Sequence, residues 1–137
     1  FVAYGHIRAS HDACVHFVRR FAEVAVAGPR FGTVVTSSAG YPLDKTYYQT
    51  VKGMCLALGV LEEGGDLIIA SECSEGLGSD EFREAQARLV LEGADAFMAA
   101  LPAKKHADID EWQTEMLMRA QRHTKGSIYL CVILSYN

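Results

Sequence analysis

Three short runs, FGTVVT at 31–36, DLIIAS at 66–71 and SIYLCVIL at 127–134, limit what this chain can fold into. They are β-branched and apolar with little polar alternation, the pattern of strands buried on both faces. A strand of that kind needs helices to cover it, and helical patterns fill the gaps. Ser10 offers a cap, and Val15, Val18, Phe21 and Ala22 recur at helical spacing until the Gly28–Pro29 pair stops them. A second helix is expected from about Lys45 to Leu61, with Gly64–Gly65 ending the segment after it. A third starts at Ser79, where Asp80 and Glu81 suit the first turn, and runs to about Ala100 with a break at Gly93. A fourth spans Asp108 to His123, closed by Lys125–Gly126. Phe1–Tyr4 reads as one more short strand, so the predicted order is β-α-β-α-β-α-α-β. The expectation is an α/β fold: a layered, mostly parallel sheet flanked by helices in a single domain.

The chain has 137 residues, near the usual size of one domain, and its hydrophobic half is enough for a core without staples. A net charge of −4 gives no nucleic-acid footprint. No apolar run approaches the roughly 18–20 residues that cross a bilayer, so no membrane partner is expected. Cys14, Cys55, Cys73 and Cys131 are scattered without metal-ligand spacing. They read as reduced, mostly buried thiols of a cytoplasmic protein. The chain begins at Phe1 in a strand-like run and stops just after another. On that basis residues 1–137 are expected to be a fragment of a longer chain.

In open parallel sheets, ligands gather beyond the carboxyl ends of the strands, at helix N-termini. Two loops fall there: SSAGYPLDK after Thr36 and CSEGLGS after Ser71. Both hold glycines, which let a backbone approach a ligand, and both lead into helices whose free amides attract anions. In the first loop Gly40 and Pro42 fix a turn and Asp44 can cap the helix that follows. Tyr48 and Lys52 stand four residues apart, and Gln49 and Lys52 three, so the three can share the first turns of that helix. A phenol, an amide and an ammonium there would suit a small carboxylate. The same residues also fit an ordinary solvated helix face, and CSEGLGS also fits a plain connection. GxxxxGK[ST] and GxGxxG are absent, so nucleotide binding is unsupported.

The remaining chemical groups point to less. His6, His11, His16, His106 and His123 show no metal spacing. Cys73 follows a strand, where a nucleophile could stand, but the acidic neighbours Glu72 and Glu75 work against a thiolate. Trp112, the single tryptophan, sits on an amphipathic helix and reads as a packing residue.

The stretch VVTSSAGYPLDKTYYQTVKGM resembles the C-terminal domain of the nickel-dependent lactate racemase family. That family carries a segment close to TSNGGYPLD, then YQ, two residues, and KG. Here it stands as Thr36 to Asp44, then Tyr48-Gln49 and Lys52-Gly53. EEGGDLIIASECSEGLGSDEF is similar to the family's glycine-rich strand-loop-helix, and Trp112 falls where a helix tryptophan belongs. Ser38 and Ala39 replace the usual asparagine and glycine, and Leu77 stands where a histidine is common.

The resemblance implies half of a racemase or epimerase that interconverts stereoisomers of a 2-hydroxy acid by hydride transfer at C2. It implies a nickel pincer nucleotide anchored in an N-terminal domain of the same longer chain, with the covalent lysine, the nickel-binding histidine and the acid/base histidines there too. No cofactor, metal ligand or catalytic residue is then expected within this chain. The chain would be a lid-like partner of that N-terminal domain. Tyr48, Gln49, Lys52 and Trp112 would bind the small 2-hydroxy acid, and Gly40, Tyr41, Pro42, Asp44, Gly76 and Gly78 would shape the pocket. The alternatives are a non-enzymatic module binding a small carboxylate or a protein partner, and a turn that is merely structural.

Overall fold

The computed structural model describes residues 1–132. Its elements are α1 (Ile7–Ala22), β1 (Phe31–Ser37), α2 (Tyr47–Ala57), β2 (Leu61–Ser71), α3 (Asp80–Glu92), α4 (Ala94–Ala100), a 3-10 turn (Leu101–Ala103), α5 (Glu111–Thr124) and β3 (Ile128–Val132). The three strands form one parallel sheet in the order β1-β2-β3, which bears out the α/β parallel fold. Val34 and Ile128 flank Leu67, and Thr36 and Leu130 flank Ile69.

The strand order determines where the core lies. Both crossovers step across the sheet in the same direction, and connections of one hand then put their helices on one face. Burial follows that rule. Leu67 and Ile69 of β2 are fully buried under α2, α3 and α5, with Val51, Met54, Phe82, Leu117 and Met118 packed against them. On the opposite face Val35 is 73% exposed and Tyr129 56%. That face is open, contrary to the two-sided burial read from the apolar runs. No residue of α1 is buried either.

Several boundaries differ from the sequence reading. Phe1–Tyr4 is not a strand; the Phe1 ring instead stacks on Phe17 of α1 at 4.4 Å. The first helix starts at Ile7, before Ser10. The Leu61–Gly65 segment belongs to β2, because Phe31 pairs with Leu61 and the register shifts before Thr33 meets Asp66. Gly65 is needed there: a Cβ would stand 2.7 Å from the Gly32 carbonyl oxygen. Ser79 caps α3 through the Phe82 amide, and Gly93 breaks the helix, both as read. The last strand was expected to reach Leu134, and its final two residues lie outside the described residues. The thiols are free but not mostly buried: Cys131 is exposed and the other three are half-buried.

Ile69→Ala should therefore cost about 2–5 kcal/mol, the usual result of emptying a closed core position. Val35→Thr, on the open face, should stay within about 0.5 kcal/mol. Denaturant unfolding of the two variants checks the one-sided core.

Candidate functional site

The loop after β1 is tied along its length to the loop after β2. The Leu43 amide donates to the Gly40 carbonyl at 2.8 Å, closing a turn that holds a cis Tyr41–Pro42 bond and φ +74 at Gly40. Ala39 takes φ +68, a conformation that glycine adopts more readily than alanine. Asp44 is buried, and its carboxylate accepts from the Glu72 amide at 3.1 Å. Its carbonyl accepts from the Cys73 amide at 2.8 Å and the Ser71 hydroxyl at 3.2 Å. The Glu75 amide donates to the Lys45 carbonyl at 2.7 Å, and the two side chains form an ion pair. Asp44 thus joins the loops and does not cap α2, as had been expected.

Thr46 is the actual cap, its hydroxyl accepting from the Gln49 amide at 3.3 Å. The Tyr47 and Tyr48 amides donate to the carbonyls of Gly76 and Leu77 at 2.9 and 3.0 Å. The free amides expected at this helix start are therefore occupied, and its backbone is not an anion site. Gly78 lets the second loop come this close. It has φ +124, and a Cβ on it would meet the Tyr48 Cβ at 2.9 Å.

Three of the four residues expected to bind substrate come together on the first two turns of α2 and the start of α5. The Lys52 ammonium lies 4.9 Å from the Tyr48 ring centroid and 5.9 Å from that of Trp112. The two rings meet edge to face at 6.1 Å, and Phe82 closes on Tyr48 from another side at 5.2 Å. Trp112 is 50% exposed, so this is an open platform. Gln49 lies half-buried on the same helix, and its side chain makes no hydrogen bond among the described residues. Tyr41 stands apart, 77% exposed, with Lys45 5.8 Å from its ring. No ion pair to Lys52 occurs among the described residues.

Asp110, Thr46 and Gln113 were not singled out from sequence, and Ser79 was read only as a helix cap. Asp110, at φ +60, accepts the Tyr48 hydroxyl at 3.2 Å and the Ser79 hydroxyl at 2.5 Å. Burial, then the Asp110 charge and its hydrogen bond, push the Tyr48 phenol upward, so it stays protonated and donates. Gln113, fully buried, donates to the Tyr48 carbonyl at 2.5 Å. Thr46, Tyr48, Glu75, Gly78, Ser79 and Asp110 line an open cleft of about 400 Å³. Next in the chain, buried Glu111 anchors the start of α5 through Lys104 at 2.6 Å, the Asp108 amide at 3.1 Å and Arg88 at 3.5 Å. No group of three or more histidine, cysteine, aspartate or glutamate side chains able to hold a metal occurs among the described residues.

Residues 28–132 match the family described as Lactate racemase C-terminal domain, and that span covers β1 through β3 with both loops and the platform. The chain belongs to that family. It is 33% identical over 125 residues to lactate racemase of Thermoanaerobacterium thermosaccharolyticum, covering 84% of this chain and 26% of that protein. It is 32% identical over 78 residues to lactate racemase of Lactiplantibacillus plantarum, covering 57% of this chain and 18% of that protein. The chain thus spans about a quarter or less of the length of these relatives. The structure of the lactate racemase apoprotein from T. thermosaccharolyticum superposes with a TM-score of 0.68 at 27% identity, over 93% of this chain and 34% of that one. In this lactate racemase C-terminal domain, the site elements are thus held by backbone bonds between loops and by contacts converging on Tyr48.

Gly78→Ala should cost about 1–3 kcal/mol through its backbone conformation and push Tyr48 away; denaturant unfolding and Trp112 fluorescence read both effects. A second expectation concerns acid. Burial pushes the Glu111 carboxyl up, but Lys104, the Asp108 amide and the Lys104 charge outweigh it, leaving it below the usual carboxylate range. A carboxylate lowered in the folded state stabilises above its unfolded value and loses that contribution as pH falls through the folded one. Stability should therefore drop below about pH 4.5, and Glu111→Gln should flatten that part of the pH-stability curve.

Proposed function

We propose that this domain supplies the carboxylate-binding wall of a 2-hydroxy-acid racemase or epimerase, acting as the pocket-closing part of a longer protein. The observation that carries the reading is the Lys52 ammonium, held against both the Tyr48 and Trp112 rings on an open platform at the carboxyl ends of the strands. A cation over aromatic faces keeps its charge while its geometry is fixed. When another domain closes over it and excludes water, its attraction for a carboxylate rises as the local dielectric falls. Gln49, one turn before it, supplies an amide for a directional hydrogen bond. The Tyr48 hydroxyl is already given to Asp110, so Lys52 and Gln49 carry the polar contacts.

A nickel pincer nucleotide would supply the redox chemistry at the substrate's stereocentre. The described residues offer no set of metal ligands, so in this reading the rest of the longer protein holds that group. This chain would bind and orient the acid and exclude water. We infer a lactate-like 2-hydroxy acid as substrate and, from the free thiols, a reducing cytoplasmic location.

Lys52→Met keeps the stem and removes the charge. In the longer protein it should raise the KM for lactate about 10–100-fold, the loss of one charge-assisted contact. The unfolding midpoint should move little, because no ion pair to Lys52 occurs among the described residues and an exposed cation–ring contact is worth only about 0.5–1 kcal/mol. Unchanged lactate kinetics in that variant would remove Lys52 from the site.

A further inference from the structure

We propose that Asp110 is a positioning residue: it accepts the hydrogen bond of the Tyr48 hydroxyl, so that Tyr48 serves the site with its ring, as the seat of Lys52, and not as a hydrogen-bond donor to the substrate. The inference rests on the reading of Lys52 as the carboxylate-binding group.

The geometry is specific. An ionised carboxylate accepts and cannot donate. The Ser79 oxygen already accepts from the Phe82 amide at 3.1 Å, and its proton goes to Asp110 Oδ2 at 2.5 Å. The Tyr48 hydroxyl donates to Asp110 Oδ1 at 3.2 Å. Each hydroxyl has a single proton, so neither is left to donate to a ligand. Asp110 precedes α5, but its side chain makes no capping hydrogen bond there; it reaches instead to α2 and the α3 cap. Three neighbouring residues of α5 and its entry hold Tyr48 at three points. Asp110 binds the hydroxyl, Trp112 meets the ring edge to face, and Gln113 binds the main-chain carbonyl. What the ring then offers is its face, with the Lys52 ammonium 4.9 Å from its centroid.

The experiment combines variants with two readouts in the longer protein. Asp110→Gly removes the carboxylate, and φ +60 suits glycine without strain. Tyr48→Phe removes the hydroxyl and keeps the ring. The first readout is NMR of the Lys52 ε-methylene, which ring currents from Tyr48 and Trp112 move upfield. The second is equilibrium titration with lactate. In Asp110→Gly and in Tyr48→Phe the Lys52 signal should move toward that of an exposed lysine. Lactate binding should weaken about 2–5-fold in each, the scale of one exposed cation–ring contact, since the link acts on the ligand through the seat of Lys52. The double variant should be no worse than either single one, because both break the same link. Asp110→Asn, with one acceptor oxygen left, should recover part of both signals. An unmoved Lys52 resonance in Asp110→Gly overturns the proposal. So does tighter lactate binding in that variant, which would show the released hydroxyl donating to the ligand, and so do additive losses in the double variant. Failure of the broader site reading looks different: Lys52→Met leaves lactate binding unchanged, while the NMR link from Asp110 to Lys52 persists without any ligand.

Discussion

Two backbone hydrogen bonds, from the Tyr47 and Tyr48 amides to the Gly76 and Leu77 carbonyls, fix the start of α2 against the loop that follows β2. A helix start left open would attract water or an anion. Here the neighbouring loop closes it, and the consequence is a division of labour. The backbone holds the two loops together, and the charge for a ligand comes from a side chain one turn further on. Asp44 and Lys45 extend the same seam toward β1, so the ends of both strands are bound to each other before any ligand is considered. Gly78 permits the approach because a side chain there would stand where Tyr48 is.

The electrostatics of the platform are of the type that grows on closure. An exposed cation over an aromatic face gains about 0.5–1 kcal/mol, and about 2 or more once desolvated. Lys104 and Arg88 meet carboxylates within the domain, whereas Lys52 meets rings. The rings hold it in place without neutralising it. Glu111 does the opposite work close by: its buried carboxylate is compensated by Lys104 and Arg88, and it fixes the first turn of α5, from which Trp112 and Gln113 reach α2.

Much of this was legible in the residues. FGTVVT and DLIIAS announced their strands because a continuous apolar, β-branched run has few other uses, and Ser79-Asp80-Glu81 announced a helix start. Tyr48 and Lys52 were legible as neighbours because four residues make about one turn. Other features depend on contacts distant in sequence. EEGGD has no strand pattern, yet it extends β2 because Phe31 lies beside Leu61. Asp44 had every local mark of a cap, but the amides of the second loop claimed it. Asp110 stood inside a segment read as helix. Its role rests on Tyr48 and Ser79, which lie 62 and 31 residues away. The open face of the sheet was hidden for a related reason. Apolar runs suggest cover on two sides, but the strand order, which sends both crossovers to the same side, is not written in any one run.

The joining of α2, the second loop and the α5 entry also determines what could be moved to another scaffold. A peptide copying Tyr48 to Lys52 would carry the chemical groups without their geometry. Its first amides would face solvent, its phenol would be free to turn, and its lysine would have no second ring. The smallest portable unit is three segments in a fixed arrangement: the α2 start, the loop through Gly78 and Ser79, and Asp110 to Gln113. A designer borrowing this site would have to transplant a junction, not a motif.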